Sequence, residues 1–252
     1  MKDILLFSSG LDSYLGWEYL KRPECLYLPV RHVYMPQELF VIDRLKDELG
    51  IDVRIHSTFD FEDLEEDSAF IPARNMYFVL YAANYGDRIF LVTQQGEESY
   101  RDTTPHFFVQ ASKLLTYLYE KKKLVDSPFW RMTKVDSVKW YLDQGLPAEN
   151  LLKTWSCHHP ANATSKDHTH RGIYRDERWV NASTYWKHCG HCNACFRRWI
   201  AFMANGIDED WANDPMQSPV LGEYIRKMKA GEYDKRRAEQ TLEVLRKAGA
   251  IR

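Results

Sequence analysis

Two groups of residues in this chain have types and spacings suited to chemistry. The first is Cys189-Gly190-His191-Cys192-Asn193-Ala194-Cys195, two overlapping C-x-x-C units, with Cys157 upstream. Three thiolates so spaced can reach one ion, and Cys157 offers the fourth ligand of a closed tetrahedral zinc site. Iron–sulfur clusters use a similar run, but theirs continues to a further Cys and a Pro. Here Cys195 is followed by Phe196-Arg197-Arg198. Cys157, Cys189, Cys192 and Cys195 therefore read as a structural zinc set. His158, His159, His188 and His191 flank it and could replace a ligand, but read as its neighbours.

The second group is Ser8-Ser9-Gly10-Leu11-Asp12-Ser13, directly after the apolar run Ile4–Phe7. Gly10 allows a phosphate to approach the backbone closely. The serine hydroxyls and the free N–H groups of a helix start can bind it, and the helix dipole favours an anion there. A capped turn between a buried strand and a helix would use the same residue types. Placement right after the first strand favours the phosphate reading. It is not a Walker A loop, because no Gly-Lys-Ser/Thr follows.

These groups need a scaffold. Ile4–Phe7 reads as a strand, Ser13–Lys21 as a helix stopped by Arg22-Pro23, and Cys25–Val30 as a second apolar run. Pro36 opens a helical pattern through Leu39, Phe40, Leu45 and Leu49, ended by Gly50. Val53 and Ile55 alternate as a strand, the acidic stretch 60–67 is a loop, Pro72 opens a helix, and Ile89–Val92 is a fourth strand. Phe107–Tyr119 and Lys134–Gln144 read as further helices. The alternation predicts an α/β fold with a parallel, doubly wound sheet. Ligands bind outside the carboxyl ends of such strands, so the loop 93–105 should neighbour the Ser8–Ser13 turn.

From Leu151 the alternation is lost, and six of the nine histidines fall between Cys157 and Cys192. Two amphipathic helices then start near Ser218-Pro219 and at Asp234. The expected organisation is a nucleotide-binding domain over 1–150, a four-cysteine zinc-binding subdomain with a His-rich insert over 151–205, and a helical extension over 206–252. With 252 residues, 44% hydrophobic and 28% charged, and a formal net charge of −2, the chain reads as an ordinary globular protein. No basic balance argues for nucleic acid, and no stretch suits a membrane span or signal peptide, so the expected location is cytoplasmic.

The turn "SSGLDS" resembles the Ser-Gly-Gly-x-Asp-Ser loop of the PP-loop ATP pyrophosphatases, with Ser9 in place of the first Gly. Combined with a distal Cys and Cys-Gly-x-Cys-x-Ala-Cys-x-x-Arg, the pattern resembles the 7-cyano-7-deazaguanine synthases of QueC type. Ile71–Asn75 ("IPARN") is similar to the family's Pro-Gly-Arg-Asn, Tyr100–Phe107 to its Tyr-Pro-Asp-Cys-Arg-Pro-Glu-Phe, and Met132–Val138 to its Thr-Lys-x-Glu-Ile-Val helix start. The resemblance spans about residues 1–204. Departures are Arg31-His32 for a longer segment, Glu97 or Glu98 for a loop aspartate, and Arg101, Thr103 and Thr104 in the substrate-side motif.

The resemblance implies the adenine nucleotide alpha-hydrolase-like fold and an ATP-dependent carbon–nitrogen ligase using ATP, Mg²⁺ and structural Zn²⁺. Its small-molecule partners would be 7-carboxy-7-deazaguanine, ammonia and ATP, in 7-deazaguanine (queuosine-type) biosynthesis; a homodimer is left open. Carried onto this chain, Asp12, Ser13 and Lys134 would be catalytic. Ser8, Ser9, Gly10, Leu11, Asp12, Ser13 and Arg74 would bind ATP, and Glu98, Tyr100, Asp102 and Phe107 would face the deazaguanine. A rival is a related PP-loop adenylating enzyme with another acceptor, a tRNA or a protein in an antiviral system. A second rival, a zinc module binding nucleic acid with a dead nucleotide loop, conflicts with the intact Asp12 and Ser13.

Overall fold

Ile4 and Leu6 point to one side of a sheet and Leu5 and Phe7 to the other, and all four are buried. A strand covered on both faces has no polar side to show, which explains its unbroken apolar run. In the computed structural model this strand is β1 (Asp3–Leu6). The structure describes residues 1–31, 35–57, 59–61, 64, 71–97, 100–159, 173–175, 178–180 and 187–251.

Helix α1 (Leu11–Tyr19), β2 (Glu24–Tyr27), α2 (Met35–Leu49), β3 (Val53–Ile55), α3 (Arg74–Ala82), β4 (Arg88–Phe90), α4 (Pro105–Leu118) and β5 (Leu124–Asp126) follow in alternation. Then come α5 (Lys134–Asp143), α6 (Ala148–Leu152), β6 (Ile173–Arg175), β7 (Arg178–Val180), α7 (Asn193–Ala204), α8 (Leu221–Lys229) and α9 (Lys235–Lys247). The five-stranded sheet runs β3-β2-β1-β4-β5, and every pairing is parallel. Right-handed crossovers place helices on opposite faces as the chain moves first one way and then the other from β1. Residues of α1, α2 and α5 form one core with Leu5, Phe7, Cys25 and Tyr27. Residues of α3 and α4 form the second with Ile4, Leu6, Leu26 and Ile89.

Several boundaries move from the sequence expectation. Helix α1 starts at Leu11 rather than Ser13, with Gly10 as its N-cap. Helix α3 starts at Arg74 rather than Pro72, because Ala73 adopts a left-handed conformation that no helix continues through. The fifth strand, β5, was not expected, and most of the acidic stretch 60–67 lies outside the described residues.

Cys157, Cys189 and Cys195 share the first core with β1, α1 and α5. Phe196, Trp199 and Ile200 of α7 form a further core with Met228 of α8 and Ala238, Val244 and Leu245 of α9. Among the described residues, no helix is long and apolar enough to cross a membrane.

Candidate functional site

Strand order changes direction at β1, so the crevice beyond the carboxyl ends of β1 and β4 is the topological switch point. The Ser8–Ser13 turn fills the β1 side. Gly10 caps α1 without a side-chain hydrogen bond, so the helix start keeps its N–H groups for a ligand. Inside the turn, Ser8 Oγ accepts from Gly10 N at 3.3 Å, and Ser13 Oγ donates to Gly10 O at 2.9 Å. A Cβ on Gly10 would sit 3.1 Å from Ser8 Oγ and 3.5 Å from Trp155 O, so the position is tight for any larger residue. Ser9 is fully buried; its carbonyl accepts from Trp155 N at 2.7 Å, and its hydroxyl has no partner among the described residues.

Asp12 leaves the first turn of α1 and meets Lys134, the first residue of α5. Lys134 Nζ donates to Asp12 Oδ1 at 2.8 Å and Oδ2 at 2.7 Å, and lies 3.6 Å from Glu97 Oε2. Arg197 reaches the same Glu97 oxygen at 3.7 Å. Burial alone would push the Glu97 carboxyl up, but Lys134, Arg197 and Arg237 outweigh it and hold it at about 2. Glu97 is therefore a fixed anion among three cations. Lys134 owes its place to Thr133, which caps α5 in a reciprocal capping box with Asp136.

On the β4 side, the loop 100–107 folds against the start of α3. Asn75 N donates to Asp102 Oδ2 at 3.1 Å, and Asn75 Nδ2 donates to Asp102 O at 3.2 Å. The two sequence stretches Ile71–Asn75 and Tyr100–Phe107 are thus joined by one residue pair. Tyr100 is exposed, whereas Phe107 packs edge-on against Phe108 of the second core. Arg74, at the first position of α3, lies close enough to Glu38 to oppose its protonation. Burial still pushes Glu38 up to about 7, against the Tyr27 hydroxyl 2.7 Å from its Oε2. Glu98 and His32 lie outside the described residues.

The four cysteine sulfurs lie within 4.8 Å of one another, and Cys189 and Cys195 are 3.8 Å apart. A zinc–sulfur length of about 2.3 Å puts tetrahedral sulfurs about 3.8 Å apart, so the donor set fits zinc. Backbone N–H groups of Cys189 and His159 point at Cys157 Sγ, those of His191 and Cys192 at Cys189 Sγ, and that of Cys195 at Cys192 Sγ, at 3.3–3.4 Å. Such bonds stabilise thiolate charge. His188 is no ligand here: its Nε2 accepts from Ser156 N at 3.0 Å and its Nδ1 faces Glu209 at 3.2 Å. Of the insert's basic residues, Lys166 and Arg171 lie outside the described residues, while Lys187 pairs with Asp210.

Sequence reasoning missed the residues that hold this region to the turn. Buried Arg198 donates to Glu209 through Nε (2.8 Å to Oε2) and Nη2 (2.9 Å to Oε1), and also to Thr154 Oγ1 at 2.7 Å and Leu151 O at 2.9 Å. It fixes the strand of chain that carries both Trp155 and Cys157. The arginine ending the Cys-x-x-Cys-x-x-Arg pattern was the available signal. Glu209 and Trp155 carried none.

The family model described as queuosine biosynthesis protein QueC matches residues 41–206. Among curated proteins, the chain is 28% identical over 196 residues to a 7-cyano-7-deazaguanine synthase of Thermoplasma acidophilum, covering 73% of this chain and 70% of that protein. It is 25% identical over 249 residues to the protein of that name from Methanocaldococcus jannaschii, covering 83% and 97%. A Methanococcus maripaludis protein of the same name is 28% identical over 247 residues, again covering 83% and 97%.

Proposed function

Because the chain belongs to the QueC family, we propose that it is an ATP-dependent ligase that converts 7-carboxy-7-deazaguanine and ammonia into 7-cyano-7-deazaguanine. The substrate carboxylate attacks the α-phosphate of ATP, pyrophosphate leaves, and an acyl-adenylate forms. Ammonia displaces AMP and gives the amide. A second adenylation, on the amide oxygen, supplies the leaving group whose loss yields the nitrile.

The observation that carries this reading is the open N-terminus of α1 at the switch point, with Asp12 and Lys134 paired beside it. Ser8, Ser9, Gly10, Leu11 and Ser13 cradle the pyrophosphate through backbone N–H and hydroxyl groups. Lys134 leaves Asp12 for a phosphate oxygen when nucleotide arrives, which frees the carboxylate to help hold the Mg²⁺ that accompanies ATP. Arg74 contacts a phosphate from the α3 side. Asp102, whose Oδ2 is held by Asn75, offers Oδ1 to the N–H edge of the flat base. Tyr100 forms part of that wall, with Phe107 behind it. The zinc is structural, and the region 151–205 acts as its holder for the nucleotide domain 1–150.

The test is pyrophosphate release from ATP with 7-carboxy-7-deazaguanine and ammonium, run against tRNA as the added acceptor. Release with the acid supports the reading. Release only with tRNA would favour a second reading, a PP-loop adenylating enzyme with another acceptor. Arg101, Thr103 and Thr104 in the substrate-side loop favour that second reading, because they depart from the family's pattern.

A further inference from the structure

The family match ends at residue 206, and the chain continues into α8 and α9. Ala238, Val244 and Leu245 pack α9 against Phe196, Trp199 and Ile200 of α7. Its polar residues do something else: they grip both the segment that carries Lys134 and the segment that carries its second carboxylate partner, Glu97.

On one side, Gln240 spans the first turn of α5. Its Oε1 accepts from Thr133 Oγ1 at 2.6 Å, and its Nε2 donates to Asp136 Oδ1 at 2.9 Å. Thr133 and Asp136 are the two halves of the capping box that encloses Lys134. On the other side, Arg237 Nη1 donates to Gly96 O, and Asp234 Oδ2 accepts from Gln95 Nε2 at 3.1 Å. Gly96 has φ +80, and a Cβ there would lie 2.9 Å from both Arg237 Cδ and Asp234 Cβ. The loop before Glu97 is therefore pressed against α9 with no room to spare. Lys134 and Glu97, 3.6 Å apart, are each one residue from a group that α9 holds.

We propose that Arg237 and Gln240 are positioning residues of the adenylation site, acting through Glu97 and Lys134. The proposal rests on the reading given under Proposed function. Lys134 stands between two carboxylates, Asp12 at 2.7 Å and Glu97 at 3.6 Å. Small displacements of either segment change which carboxylate it serves, and so whether it is free to meet a phosphate. The C-terminal helices set that geometry from outside the nucleotide domain.

The experiment compares Arg237→Ala, Gln240→Ala and Arg237→Lys with wild type, each checked for zinc content and melting temperature. Two readouts are taken. In the first, pyrophosphate release with the deazaguanine acid gives kcat and KM for ATP. Both alanine variants should lose about tenfold in kcat, with KM for ATP changing less than about threefold, and Arg237→Lys should recover most of the loss. The second is the side-chain ammonium NMR signal of Lys134, assigned with Lys134→Arg. It should be sharp in wild type and broadened in the alanine variants. Wild-type kcat and an unchanged Lys134 signal in both alanine variants would overturn the proposal, even if their melting temperatures fall. If wild type releases no pyrophosphate with the acid while the Lys134 signal changes as stated, the substrate reading fails and the positioning role stands.

Discussion

The ammonium group of Lys134 sits 2.8 Å and 2.7 Å from the two carboxylate oxygens of Asp12, tying the first turn of α5 to the first turn of α1. Asp12→Asn keeps the shape and removes the charge. The pair is partly solvent-exposed, so its loss should cost little stability, about 1 kcal/mol or less. Pyrophosphate release should nevertheless fall by about a hundredfold or more if Asp12 helps hold the metal–nucleotide complex. A thermal melt and a pyrophosphate assay on the same preparation separate the two. Undiminished turnover in folded Asp12→Asn would end the cradle reading.

Metal removal should be felt at the turn. Trp155 N donates to Ser9 O, and Cys157 lies two residues further along the same segment. Purified protein is expected to contain about one zinc per chain and to be colourless. A chelator should lower the melting temperature, because structural zinc binding is coupled to folding. Affinity for a non-hydrolysable ATP analogue should drop with it, which calorimetric titration before and after zinc restoration can check. A brown protein containing iron and labile sulfide would refute the zinc assignment.

Ala73 stands where the family's Pro-Gly-Arg-Asn has glycine, and its φ of +56 shows why glycine belongs there. A left-handed residue with a Cβ costs roughly 1–2 kcal/mol. Glycine gives back roughly 0.5–1 kcal/mol through the freer unfolded chain. Ala73→Gly should therefore stabilise the protein by about 0.5–1 kcal/mol, read as a rise of a few degrees in Tm. A drop in Tm would contradict the strained geometry.

Glu97 sets an acid limit. Burial raises its pKa, the three surrounding cations lower it further, and the result is about 2, below the ordinary 4.5. A depressed carboxylate pKa stabilises the fold above the unfolded value, and that contribution is lost as pH falls from 4.5 towards 2. Its size by linkage is on the order of 2–4 kcal/mol. Glu97→Gln should melt lower than wild type at pH 7, and the gap should narrow between pH 4.5 and 2. A gap that is constant with pH would mean that the carboxylate is not held ionised.

The turn, the four cysteines and four of the five parallel strands could be read from the sequence because each carries its reason locally. Ile4–Phe7 is apolar on both faces, and Cys189, Cys192 and Cys195 have ligand spacing. Strand β5 is three residues long and follows Lys121-Lys122-Lys123, so neither length nor alternation announces it. Helix α7 hid behind its cysteines: Cys195 is both a zinc ligand candidate and part of a helix whose Phe196, Trp199 and Ile200 face α8 and α9. Asp102 was expected to face a base, and the structure adds a second task, holding Asn75. The contacts of Arg198, Glu209 and Arg237 join residues far apart in sequence, and no local pattern encodes a distant partner.

The bond between Ser9 and Trp155 also orders events during synthesis. Trp155 is made 146 residues after Ser9, and Cys189, Cys192 and Cys195 later still. At about 5–20 residues per second, roughly 7–30 seconds separate the turn from the segment that fixes its carbonyl. Until then the Ser9 carbonyl lacks the partner it has in the folded protein, and it gains that partner only after the segment carrying Trp155 and Cys157 has been made and docked. With Trp155 and Cys157 on one short segment, metal capture by the four cysteines and completion of the Ser8–Ser13 turn become a single step.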